Sequence, residues 1–208
     1  MKGLCLVAVI AVAALGPGSA ARAQAADEHP WTYSISGTSY ILPGDDDYFQ
    51  PTFTADHKWL HLEARHNYEA FETGSVWAGY NFSVGEKVTF EGSAIAGVVF
   101  GATDGVAPGY KASVSWTKLE FYSEGEYVFD SHDSADNFAY TWTQLTWALS
   151  DWATLGVVVQ RTKVYETDRD IQRGFIVGFS SERVAFTASI FNPDERRPTF
   201  VIGLAVSF

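Results

Sequence analysis

Counting back in twos from Phe208 gives Val206, Leu204, Ile202 and Phe200, all apolar, while Val201, Gly203, Ala205 and Ser207 between them are small for the most part. Strict period-2 alternation places the apolar side chains on one face of an extended chain, so this segment predicts a strand. The same pattern recurs upstream. Val88, Phe90, Ala94, Ala96, Val98 and Phe100 oppose Lys87, Thr89, Glu91 and Ser93. Leu119, Phe121, Tyr127 and Phe129 oppose Glu120, Tyr122, Glu124 and Glu126. Leu155, Val157 and Val159 oppose Thr154, Gly156 and Gln160, and Trp31, Tyr33 and Ile35 oppose Thr32, Ser34 and Ser36. Bounded by turn chemistry, such segments number roughly twelve, with ten as the alternative count. They run near 31–40, 48–55, 59–68, 75–82, 87–100, 109–116, 119–129, 138–147, 153–163, 173–179, 184–191 and 199–208.

The connections between them alternate in length. Longer ones fall at 41–47, 69–74, 101–108, 130–137, 164–172 and 192–198, and shorter ones at 56–58, 83–86, 117–118, 148–152 and 180–183. A series that begins and ends with a long connection is what an even number of antiparallel up-and-down strands produces when both ends of the chain lie on the short-turn side. The chain shows no linker and no second domain, so residues 26–208 predict one all-β domain.

The first 25 residues have a separate purpose. Lys2 precedes an apolar stretch from Leu4 to Leu15, followed by small residues and an Ala-x-Ala site at Ala21-Arg22-Ala23 or Ala23-Gln24-Ala25. This is the pattern of a cleaved secretory signal, too short to span a bilayer. Cys5 is the chain's one cysteine and sits inside that stretch, so the mature chain is expected to use neither disulfides nor thiolate chemistry. Cleavage after Ala25 leaves 208 − 25 = 183 residues, and removing Lys2 and Arg22 leaves 14 − 2 = 12 basic against 25 acidic residues. Such an acidic balance disfavours nucleic acid as a partner. After residue 25 no stretch approaches the length of a transmembrane helix, so any membrane crossing must be made by strands.

A final strand ending on an aromatic, with the same alternation in every preceding segment, resembles bacterial outer-membrane β-barrel proteins at the level of the class. The resemblance implies a closed antiparallel up-and-down transmembrane β-barrel, exported through the periplasm into the outer membrane of a Gram-negative envelope. It also implies that Phe200, Ile202, Leu204, Val206 and Phe208 are read by the barrel assembly machinery, and that the wall contacts outer-membrane lipids and lipopolysaccharide. Aromatics form 15% of the chain, as expected of girdles at two membrane interfaces. The polar rows carry Thr, Ser, Gly and Glu with few lysines, unlike a water-facing sheet, and a soluble twelve-strand barrel would be hollow. The apolar rows are therefore expected to face lipid and the polar rows the lumen.

The candidate lumen-lining residues are Glu63, Arg65, Glu91, Lys111, Glu120, Glu124, Glu126, Gln144 and Gln160. A charged lining selects ions or small polar solutes, so the leading expectation is a narrow, acidic, porin-like transport channel. The alternative is an envelope barrel whose lumen is plugged by its own ion pairs. A third possibility is a lipid hydrolase or acyltransferase, for which the parts would be His61 with Glu63, His66 with Asn67, or Ser131-His132-Asp133. Adjacent strand residues point to opposite faces, and the last trio sits in an acidic loop, so no catalytic residues are assigned. Histidines 61 and 66 are an odd offset apart and face opposite ways, and no metal or cofactor is expected. Asp45-Asp46-Asp47, Asp133 and Asp136 are read as solvated turn residues, while Arg169, Arg173, Arg196 and Arg197 are placed to meet lipid phosphates.

Overall fold

The computed structural model describes residues 30–43, 46–164 and 170–208. The expected signal segment with Cys5, together with His29, Asp45 and Arg169, lies outside the described residues. Twelve strands follow one another: β1 (Thr32–Ile41), β2 (Tyr48–His57), β3 (Leu60–His66), β4 (Thr73–Val84), β5 (Val88–Gly101), β6 (Gly105–Trp116), β7 (Leu119–Asp130), β8 (Phe138–Ser150), β9 (Ala153–Val164), β10 (Asp170–Ser180), β11 (Val184–Phe191) and β12 (Thr199–Ser207). Each pairs antiparallel with its neighbours in sequence, and β1 pairs with β12, so the sheet closes into an up-and-down barrel. At the seam Ile35 lies opposite Val206 and Tyr40 opposite Val201. Beyond the last ladder pair, Tyr33 and Phe208 exchange two backbone N–H···O bonds of 2.9 Å, and their rings stack 5.9 Å apart.

Several boundaries move by a few residues, and the start of β6 moves furthest. The segment 101–108 is mostly strand, because β6 begins at Gly105 and only 102–104 separate it from β5. Pro108 suggests a loop because it has no N–H to give a ladder. In the barrel Pro108 lies opposite Ala96 of β5, while the β6–β7 register passes from Val106↔Phe129 to Gly109↔Glu126. The proline is thus tolerated where the ladder to β7 is interrupted.

The faces follow the alternation. Phe121, Leu145, Val157, Phe175 and Leu204 are exposed on the outside. The opposite rows are enclosed, with Glu63, Arg65, Glu124, Gln144 and Gln160 each at 5% exposure or less. Tryptophan is distributed unevenly. Trp31, Trp59, Trp116, Trp147 and Trp152 are exposed at the short-turn rim, whereas Trp77 and Trp142 are inside. Rings stack along that rim, Trp59 on Tyr80 and Trp152 on Phe179, giving a band that suits a lipid–water interface.

The lumen has two unlike halves. On the loop side it is filled by Tyr40, Tyr48, Tyr68, Phe138, Tyr140, Trp142 and Phe191, all buried in one cluster. Tyr40 stacks on Tyr48 at 4.4 Å across the first hairpin. On the turn side the inward positions are short and partly exposed: Ser34, Ser36, Thr54, Ser93, Ser113 and Ser115. A barrel this wide cannot be filled by aliphatic side chains from its wall, and here rings and ion pairs occupy the loop-side half instead.

Candidate functional site

Where the two halves meet, β3 places His61, Glu63 and Arg65 on one inward row. The Arg65 guanidinium holds Glu63 in a fork, Nε to Oε1 at 2.9 Å and Nη2 to Oε2 at 3.2 Å. Its Nη1 donates to Glu126 Oε2 at 2.8 Å on β7, four strands away, so this bond crosses the lumen. The same nitrogen lies 3.7 Å from Glu69 Oε1. Lys111 on β6 reaches Glu63 Oε2 at 2.7 Å. The guanidinium plane is clamped between rings, with Tyr68 at 4.0 Å and Trp77 at 4.4 Å from its carbon. An arginine suits this position because its flat, delocalised cation stacks and forks at once, which a lysine ammonium cannot do.

A second bridge lies beside the first. Tyr68 Oη donates to Glu124 Oε1 at 3.0 Å and Tyr122 Oη to Glu124 Oε2 at 2.7 Å. At this level β3, β6 and β7 are thus bridged by side chains bonded to one another.

Of the residues expected from sequence to line the lumen, the barrel brings Glu63, Arg65, Lys111 and Glu126 into one ion-pair network and Glu124 into the adjoining phenol pair. Gln144 lies nearby on β8, its Oε1 accepting from Trp142 Nε1 at 3.0 Å. Gln160 is buried on β9, with neither amide atom hydrogen bonded. Glu120 is half-buried and Glu91 exposed, both toward the short-turn mouth and apart from the network.

Several members were not among the expected lining residues. Tyr122 stands in the same polar row as Glu124 and Trp142 shares the parity of Gln144, so counting in twos points to both. Glu69 belongs to a connection rather than a strand. It is turned inward because Asn67 (φ 54°) and Glu72 (φ 59°) adopt left-handed backbone, with Asn67 Oδ1 accepting the Glu72 N–H at 2.9 Å. Glu69 Oε1 then accepts from Ser75 Oγ at 2.5 Å.

The other candidates stay apart. His66 is exposed on the outer face, opposite to buried His61. Ser131 Oγ lies 3.2 Å from His132 Nδ1, but Asp133 accepts the Ala135 N–H instead of orienting the imidazole. Asp47 Oδ1 accepts the Leu42 N–H at 2.9 Å, a turn role. On the loop-side exterior Arg173 pairs with Asp194 at 3.1 Å, with Arg196 and Arg197 exposed in the same connection. The Asp194 carboxyl is held below the ordinary carboxylate range by its own backbone N–H and by Arg173.

No protein-family model matches the chain, and no curated protein is similar to it in sequence. Solved structures are similar in fold. The KdgM porin covers 84% of this chain and 99% of its own at a TM-score of 0.59 and 14% identity. A second structure, KdgM porin in complex with disordered oligogalacturonate, gives a TM-score of 0.58 at 14% identity over the same shares. The NanC porin covers 84% of this chain and 98% of its own at a TM-score of 0.53 and 10% identity. The chain has the closed-barrel fold of these outer-membrane proteins, over nearly their whole length.

Proposed function

We propose that the chain is a porin-like barrel of the bacterial outer membrane, with a narrow lumen closed at the Arg65 network and opened by rearrangement of that network. The reading rests above all on the bond from Arg65 to Glu126, which joins β3 to β7 across the lumen through charged side chains. A barrel needed solely as a wall could be filled with apolar side chains, since burying ions carries a desolvation cost that packed hydrophobic residues avoid. Acidic residues at the mouth, Glu91 and Glu120, favour small cations or polar solutes over anions. The similar porins support this at the level of fold.

The test is planar-bilayer recording. Wild type is expected to give small or infrequent conductance steps, and R65A and E126Q larger ones with cation preference. If all three proteins insert folded and remain silent, the lumen is a plug and the protein an envelope-stabilising barrel. That second reading draws on the ion pairs and phenol bonds that bridge the lumen around Arg65.

A further inference from the structure

His61 lies between two carboxylates. Its Nδ1 is 2.7 Å from Asp56 Oδ1 and its Nε2 is 3.1 Å from Glu63 Oε2, with the ring almost fully enclosed. Ionised carboxylates only accept hydrogen bonds, so both contacts are satisfied together when both ring nitrogens carry hydrogen, that is, as imidazolium. Asp56 is partly exposed toward the mouth and also accepts from Asn81 Nδ2 at 2.7 Å, while Asn81 Oδ1 accepts from Ser93 Oγ. A chain of hydrogen bonds thus runs from the turn-side mouth through Asp56, His61 and Glu63 to Arg65 and Glu126.

We propose that His61 is a proton-operated clamp on the lumen: as imidazolium it ties Asp56 to Glu63 and holds the Arg65 network shut, and loss of its proton as pH rises releases Glu63 and opens the passage. This rests on the channel reading above. The groups facing the imidazole are Asp56 from β2, Glu63 and then Arg65 on β3, Asn81 from β4 and Lys111 from β6, with Tyr122, Glu124 and Glu126 beyond Glu63 on β7. A neutral ring must turn one lone pair toward a carboxylate oxygen at hydrogen-bond distance, which is repulsive. The charge balance shifts in the same direction. Counting every carboxyl as ionised, Asp56, Glu63, Glu69, Glu124 and Glu126 face His61, Arg65 and Lys111, five against three; without the imidazolium proton it is five against two. Histidine is the side chain whose ordinary range puts such a change between about pH 5 and 8.

The experiment combines imidazole ¹⁵N NMR of the barrel in micelles with bilayer recordings across that pH range. H61Q identifies the His61 signals, and the gel shift between unheated and boiled samples verifies its folding. The expected result is a doubly protonated His61 at low pH, and a conductance that steps up as its proton leaves. H61Q should lose the step, and H61R should stay shut at every pH. A step that persists in H61Q, or a His61 that stays neutral throughout, overturns the clamp. Conductance without any pH step removes the clamp and leaves the channel standing. A silent wild type in which the indole N–H signal of Trp77, which donates to Ser75 beside the network, shifts at the pH where His61 titrates keeps the hold of His61 on the network and removes the channel.

Discussion

Arg65 makes the largest single contribution to the network, because three carboxylates and two rings are arranged around one buried guanidinium. Removing one partner of a buried ion pair leaves the others uncompensated, at a cost of about 3–5 kcal/mol. R65M is therefore expected to lower unfolding stability in micelles by that order, and E63Q and E126Q added to it should restore part of the loss. An R65M barrel as stable as wild type would show that the network is hydrated and weak. Trp77 gives a second test. A Cβ at Gly97, directly across the β4–β5 pair, would overlap the Trp77 indole, so G97V must push that ring off Arg65. Overpacking of this kind costs about 1–3 kcal/mol, and the denaturation midpoint should fall accordingly. Residue parity was legible from sequence, which is why Glu63, Arg65, Glu124 and Glu126 were assigned to one side. Their partners were not: Arg65 and Glu126 are 61 positions apart, and nothing local says that their strands face one another.

Among the elements, the strands were legible because two physical signals coincide, alternation along the chain and turn residues at its ends. The β6 start escaped because Pro108 counts against a strand in any local reading, and only the interrupted ladder to β7 accommodates it. Val157, between Leu145 and Phe175 on the outer face, tests which medium that face meets. V157R should cost about 2–4 kcal/mol in reversible unfolding from lipid vesicles if the residue sits near the bilayer midplane. A change within the scatter of surface substitutions would place that face in water. The seam between β1 and β12 is a separate weak point. Deleting Phe208 removes two backbone bonds and the ring stacked on Tyr33, so the fraction of protein reaching the heat-shifted, folded form should drop. An undiminished folded fraction would mean that closure does not depend on that last pair.

For the whole molecule, the asymmetric lumen governs what the barrel can do. Short hydroxyl side chains leave the turn-side half partly exposed, rings fill the loop-side half, and ion pairs join the walls between them. On the proposed channel reading, passage depends on a few side chains moving rather than on the width of the barrel. Wild-type conductance that equals that of R65A would contradict this. The sequence alone determined the up-and-down order and the sorting of apolar from polar faces, and narrowed the strand count to twelve or ten, because each depends on period-2 pattern and turn chemistry within a few residues. The tertiary structure decided which inward side chains bond to one another, because that depends on which of them meet across a closed sheet. The curl of the sheet from β3 to β7 brings Arg65 to Glu126 and Tyr68 to Glu124.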